Sequence, residues 1–181
     1  MSELGRPSGE PGESGHRSGE PGQVARRTVD CEVIEWLDVP SRAALLGLEP
    51  HPEGGWFRRT WASSAATTVD GVSRPAATLI YFLLPPGEAS AWHRVDFDEI
   101  WLWHGPDPVM MQLGGSGDEP AFVGENVKVI MLGGGAPSAD EQPQVIVPAG
   151  VWQRTLPSDG EALVSCVVSP GFSFDAWTLA E

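Results

Sequence analysis

Side chains able to do chemistry crowd into residues 87 to 105, GEASAWHRVDFDEIWLWHG, where Glu99 follows His93 by six positions and Trp101 and Trp103 come next at strand spacing. In an extended chain, residues two apart share a face. Glu99, Trp101 and Trp103 therefore point one way, and Ile100, Leu102 and His104 the other. A carboxylate beside two indoles makes a wall that stacks on a ring and hydrogen-bonds its hydroxyls. An imidazole near a carboxylate in a partly apolar pocket suits a general acid or base, and the same pair also reads as a core histidine satisfied by Glu99. His104, on the opposite face, reads as a structural hydrogen-bonding residue.

Three more stretches bear on the same site. HPEGGWF (51 to 57) sets His51, Glu53 and Trp56 around a Gly54-Gly55 pair that permits unusual backbone angles, which makes Glu53 and Trp56 candidates for a pocket edge. Tyr81, the only tyrosine, lies in the apolar run TLIYFLLPPG and is either a pocket acid or a residue with its hydroxyl at a barrel rim. In QPQVIVPAGVWQR (142 to 154), the tight turn Pro148-Ala149-Gly150 delivers Gln153 as a candidate ligand-binding amide. Trp36, Trp61 and Trp177 read as core or subunit-contact aromatics, and Cys166 as a small buried hydrophobe.

The elements that must hold these residues are strands. GGWFRRTWAS, ATLIYFLLPPG, DEIWLWHG, PVMMQLGG, NVKVIMLGGG, QPQVIVPAG, EALVSCVVSPG and FSFDAWTLA are short apolar runs punctuated by Gly and Pro, which predicts an all-β sandwich or barrel. A small helical preface precedes them: CEVIEWLDV as one or two helical turns, then SRAALLGLEP as a short helix with Ser41 as N-cap and Gly47 as its stop. Residues 1 to 28 repeat SGEPG and bury too little apolar surface to fold, so a disordered tail, including His16, is expected ahead of one domain at 29 to 181.

Composition removes several function classes. The net charge of −14 repels phosphate backbones, which argues against a nucleic-acid partner. Lys128 is the only lysine, a poor basis for Schiff-base chemistry. Two cysteines, Cys31 and Cys166, make no disulfide framework, and no secretory h-region follows the amino terminus, so a cytoplasmic setting is expected. No apolar run approaches the ~20 residues of a membrane helix. The nucleophile elbow, Walker loop, zinc-protease helix and dinucleotide fingerprint are all missing.

The motifs together resemble those of the cupins. A cupin's first motif reads Gly, five residues, His-x-His, three or four residues, Glu, then a later Gly; Gly87, His93, Glu99 and Gly105 match it. Its second reads Pro-x-Gly, two residues, His; Pro148 and Gly150 match. Val95 stands where the second histidine belongs, and Gln153 where the last one does. LEPHPEGGWF, YFLLPPG, WHRVDFDEIWLWHG, PQVIVPAGVWQ and CVVSPGFSFDAW resemble in particular the small fifth cupin family, long described as of unknown function. That resemblance implies a double-stranded β-helix, or jelly roll, with a cavity at one mouth and commonly a homodimer.

The superfamily spans many activities, so function rests on the site. Cupin metal sites commonly use three histidines and a glutamate. With two of those positions changed, the expectation is no metal and no cofactor, with His93, Glu99 and Gln153 as the reduced set that a metal would have to use. The leading expectation is a metal-independent isomerase, epimerase or lyase acting on a small sugar-like or hydroxycarbonyl compound. His93 or Glu99 would remove a proton, Tyr81 or the other partner return one, and Trp101 stack on the substrate. Arg58 or Arg94 would have to offset the acidic balance for a phosphorylated substrate. A non-catalytic binding cupin and a metal-dependent oxygenase are the alternatives.

Overall fold

The computed structural model describes residues 19–121, 126–135 and 140–180. Most of the expected disordered tail, residues 1 to 18 with His16, lies outside the described residues. The expected boundary at residue 28 moves, because β1 (Gln23–Arg27) pairs antiparallel with β2 (Val33–Asp38). Burial explains why this end folds: Val24 and Leu37 pack on a small second core, and Arg26 reaches Glu88 at 2.7 Å. The helical expectation for CEVIEWLDV is likewise corrected to strand β2. Its Val33 and Ile34 are β-branched, and cross-strand pairing outweighs the weak local helical pattern.

Helix α1 (Ser41–Leu46) follows and stops where Gly47 turns left-handed at φ 62°, as expected. The expected N-cap moves by one residue: Pro40 holds that position, and Ser41 is the first helical residue. Next come β3 (Glu49–Pro50), β4 (Trp56–Ala62), the hairpin of β5 (Ala66–Val69) and β6 (Val72–Pro75), and β7 (Thr78–Leu84). Then β8 (His93–Val95), β9 (Asp98–Pro106), β10 (Val109–Leu113) and β11 (Lys128–Leu132) carry the chain across the barrel. The last elements are β12 (Glu141–Gln142), β13 (Gln144–Val147), β14 (Gln153–Thr155), β15 (Ala162–Ser169), a 3₁₀ turn (Phe174–Ala176) and β16 (Trp177–Leu179).

Among the described residues these strands form two six-stranded sheets, ordered β12-β11-β10-β14-β8-β16 and β13-β9-β15-β7-β4-β3. The sheets face each other as the jelly roll that the resemblance implies, within the all-β class expected from the strand pattern. Alternate side chains fill the space between them, with Phe82, Trp101, Met111, Leu132, Val147 and Val164 at the centre of the main core. Outside the second sheet, α1 and the β1-β2 hairpin cover Trp56, Leu83 and Leu163 to make the smaller core. No helix among the described residues is long and apolar enough to cross a membrane.

Candidate functional site

The mouth of the barrel opposite its aliphatic end holds a cavity of about 360 Å³, within the range of small-molecule clefts. Its buried histidines and carboxyls come from three places in the chain. His51 and Glu53 sit in the loop before β4, His93 opens β8, and Glu99 lies near the start of β9.

The loop's glycine pair sets the first group. Gly54 has φ 111°, and a Cβ there would stand 2.0 Å from the Ala89 carbonyl oxygen; Gly55 has φ 67° and lies against Phe82. Only glycine accepts both the angle and the approach. The closed turn, with the Gly54 N–H donating to the His51 carbonyl, turns Glu53 inward, and the Ala91 N–H donates to the Glu53 carbonyl to tie the loop to the residues before β8.

Glu53 is the hub of one cluster. Its Oε2 accepts from Trp177 Nε1 at 3.0 Å and lies 3.4 Å from Nδ1 of both His51 and His93. A second chain of bonds crosses between the sheets: Trp101 Nε1 donates to Gln153 Oε1 at 3.0 Å, and Gln153 Nε2 donates to Glu99 Oε2 at 2.5 Å. Gln153 is fully buried and sits opposite His93 in the β14-β8 pairing. His93 Nδ1 bonds the Ala91 carbonyl at 2.9 Å, which assigns the proton to Nδ1 and leaves Nε2 as the ring's basic nitrogen.

Burial drives every shift in this group, because desolvation penalises the charged form. It raises Glu99 to about 7 against the pull of bonds from Gln153, Trp101 and Cys166. It raises Glu53 well above the usual carboxylate range, and the neighbouring Glu99 charge raises it further, while the Trp177 bond opposes both. His51 falls to about 3 through burial, His93 and Arg26. His93 falls to about 4 through burial, with the Ala91 bond opposing. Cys166, also in the wall, is held as a thiol by burial and by the two carboxyls. Burial thus favours the neutral forms of His51, His93 and Glu53 and weakens the His51–Glu53 and His93–Glu53 contacts as ion pairs.

The candidates read from the sequence divide clearly. His93, Glu99, Trp101 and Glu53 line the cavity, and Gln153 stands behind them, bonded to two of them. Tyr81 does not reach it: Ile80 and Phe82 face the cavity, so Tyr81 faces the second core, edge-on to His104 at 6.4 Å. Trp56 also belongs to the second core, where its Nε1 donates to Glu88 Oε1 at 2.9 Å. Trp103 is on the expected face of β9 but lies beyond the cavity, over Gly134 and bonded to the Asp107 carbonyl at 2.8 Å. His104 bonds Ser165 Oγ at 2.6 Å on the far face, as expected of a structural residue. Arg58 and Arg94 do not line the cavity; Arg59 does.

Residues not expected to line a pocket complete the walls, among them Trp177, which the sequence suggests as a core or subunit-contact aromatic. His51, Phe57, Phe82, Phe174 and Trp177 form an aromatic belt, with His51 stacked on Phe174 at 5.7 Å and edge-on to Phe57 at 4.6 Å. The mouth-covering residues 172 to 174 were visible in the sequence only as the motif PGFSF. Nothing in that motif by itself says which rings turn inward.

A metal of the kind common in cupins does not fit this donor set. Gln153 spends its amide oxygen on Trp101 and aims its nitrogen at Glu99, Val95 is aliphatic, and no group of three or more His, Cys, Asp or Glu among the described residues is arranged to hold an ion.

The two facing sheets with a polar cavity at one mouth define a cupin-type barrel. Residues 42–180 match the Cupin_5 family, described as Cupin superfamily (DUF985), and the chain belongs to it. A protein of Shewanella oneidensis solved by X-ray crystallography is 34% identical, with a TM-score of 0.67 over 77% of this chain and 82% of that one. A hypothetical protein from Leishmania major is 30% identical, with a TM-score of 0.66 over 76% of this chain and 84% of that one. No curated protein matches the chain.

Proposed function

We propose that the cavity binds a small sugar-like or hydroxycarbonyl compound and moves a proton on it without a metal, as an isomerase, epimerase or lyase. The observation that carries this reading is the pair of buried carboxyls lining one cavity, Glu99 raised to about 7 and Glu53 raised well above its ordinary value. Two like carboxyls that resist ionising together can supply a base and an acid in one site. Glu99 is the stronger candidate base than His93, because a base works best with its pKa near the operating pH and His93 lies near 4.

The electron movement balances within the site. Glu99 takes the proton from the carbon next to the carbonyl, the electron pair moves onto the carbonyl, and Glu53 supplies a proton to its oxygen. Return of a proton to the former carbonyl carbon, with the adjacent hydroxyl giving its proton back to Glu53 as it becomes the new carbonyl, gives an isomer. Return to the opposite face of the original carbon, with the enol hydroxyl returning its proton to Glu53, gives an epimer. Collapse of the enol to expel a β substituent with its bonding pair, the enol proton going back to Glu53 and the Glu99 proton to the leaving group, gives a lyase product. Trp101 and the aromatic belt offer faces for the ring or chain of the substrate.

The test is solvent-deuterium exchange into a panel of aldoses and ketoses. Exchange is expected with the rate rising through about pH 7 as Glu99 ionises. Glu99→Gln should lower it by roughly 10²–10⁴-fold. Exchange at the wild-type rate in that variant removes the role of Glu99. The internal bonding of Glu99 to Gln153, Trp101 and Cys166 also favours a second reading, a wall that binds a metabolite without transforming it. Recovery of a bound compound unchanged, with no exchange, supports that second reading.

A further inference from the structure

Inside the cavity burial holds the histidines in their neutral form, so fixed positive charge on its walls comes from elsewhere. Among the described residues lining it, Arg59 is the one arginine or lysine. It follows Phe57 by two residues on β4 and shares that residue's cavity-facing side, but it is exposed, which places it at the mouth while Glu53 and Glu99 lie buried within. Its Nη2 donates to the Phe172 carbonyl at 3.0 Å. A guanidinium has five N–H donors, so one such bond leaves most of the fork available.

Of the other described arginines, Arg27 bonds the Cys31 carbonyl away from the cavity and Arg58 does not line it. Arg26, Arg42 and Arg74 pair with carboxylates, and Arg94 and Arg154 lie over Trp152 and Trp92. Arg59 pairs with no carboxylate among the described residues, even though Glu49 lines the same mouth. A guanidinium with no carboxylate partner at the entrance of the pocket is suited to a carboxylate or phosphate carried on the outer end of a ligand.

We propose that Arg59 anchors an anionic group of the substrate, so that the compounds accepted are small hydroxycarbonyl anions. The proposal rests on the proton-transfer reading above for which end of the ligand faces Glu99. The anion stays at the mouth, the carbonyl end reaches the buried carboxyls, and Glu49 disfavours a second negative charge beside the first.

Calorimetric titration of the full chain with glucose, glucuronate and glucose 6-phosphate tests this, since the three share a ring and differ in the anionic group. At least one anion should bind roughly tenfold or more tighter than glucose, with added salt narrowing the gap. The carboxylate and phosphate arms show which group is recognised. Arg59→Gln should abolish the preference, and Arg59→Lys should keep part of it. Glucose binding as tightly as both anions, failure of both anions to bind, or a preference that survives in Arg59→Gln overturns the proposal. These are equilibrium readouts, so the anchor stands if anions bind through Arg59 without deuterium exchange. Exchange on neutral sugars alone defeats the anchor and leaves the proton-transfer reading in place.

Discussion

The two ends of the barrel interior use the same strands for opposite purposes. Along β15, Val164 and Ala162 pack the closed end, whereas Cys166 and Val168 face the cavity. Along β7, Leu84 belongs to the packed end, and Ile80 and Thr78 to the open one. On β9 the change is sharper, from Trp103 packed against the aliphatic core to Glu99 in the cavity two turns of the pleat away. Phe82 and Trp101, edge to face at 5.6 Å, form the floor between the two regions. The comparison teaches that one end converts burial into packing, while the other uses the same dryness to hold titratable groups away from their ordinary protonation states.

The largest effect that sharpens this contrast is expected at the closed end. Leu132→Ala, at a fully buried site, should cost roughly 2–5 kcal/mol of stability by chemical denaturation. The pH dependence of that stability should stay as in the parent. A pH profile altered by Leu132→Ala would mean that the two ends are not separate.

At the open end the effect should depend on pH, and its sign follows from the folded and unfolded affinities. Glu99 binds its proton more tightly folded, at about 7 against an ordinary 4.5, so it contributes stability present below 4.5 that is lost as the pH rises toward 7. His51 and His93 run the other way: with folded values of about 3 and 4 against 6.5, their contribution is present above 6.5 and lost as the pH falls. Glu99→Gln removes the first trend, leaves the histidine trend in place and eases the part of the Glu53 rise that the Glu99 charge adds. Relative to wild type, the variant should gain on the order of 2–3 kcal/mol between about pH 4 and about pH 8. A flat difference in urea midpoint across that range would show that Glu99 is not raised.

The smallest effect belongs to Trp177→Phe, which keeps the ring and deletes the bond to Glu53 Oε2. A loss of about 1 kcal/mol is expected, together with a further rise in the Glu53 pKa, which the lost bond now opposes. Carbonyl-region infrared spectroscopy reads that protonation directly. An unchanged Glu53 signal would remove Trp177 from the acid's environment.

Much of this was legible before the coordinates. Alternation along DEIWLWHG put Glu99 and Trp101 on one face and His104 on the other, because a strand's period of two is a local property. The same rule applied to TLIYFLLPPG leaves Tyr81 facing the cavity or the second core. Which it is depends on α1 and the β1-β2 hairpin covering the outer sheet, and the local pattern of residues 23 to 38 does not reveal that hairpin. Trp103 shows a different limit, since parity gives a residue's face but not how far along the barrel the cavity extends. His51 and Trp177 escaped because they lie far apart in the chain and gain their meaning only by meeting at Glu53.

The linear chain alone determined the all-β architecture, the cupin motif pattern and the loss of two of its histidine positions, since each of these follows from residue type at short spacing. The convergence of Glu53, His93 and Glu99 in one hollow, and the exclusion of Tyr81 and Trp56 from it, was decided by the tertiary structure. Desolvation, which sets the protonation of those groups, depends on what the whole fold packs around them, and no local pattern records it.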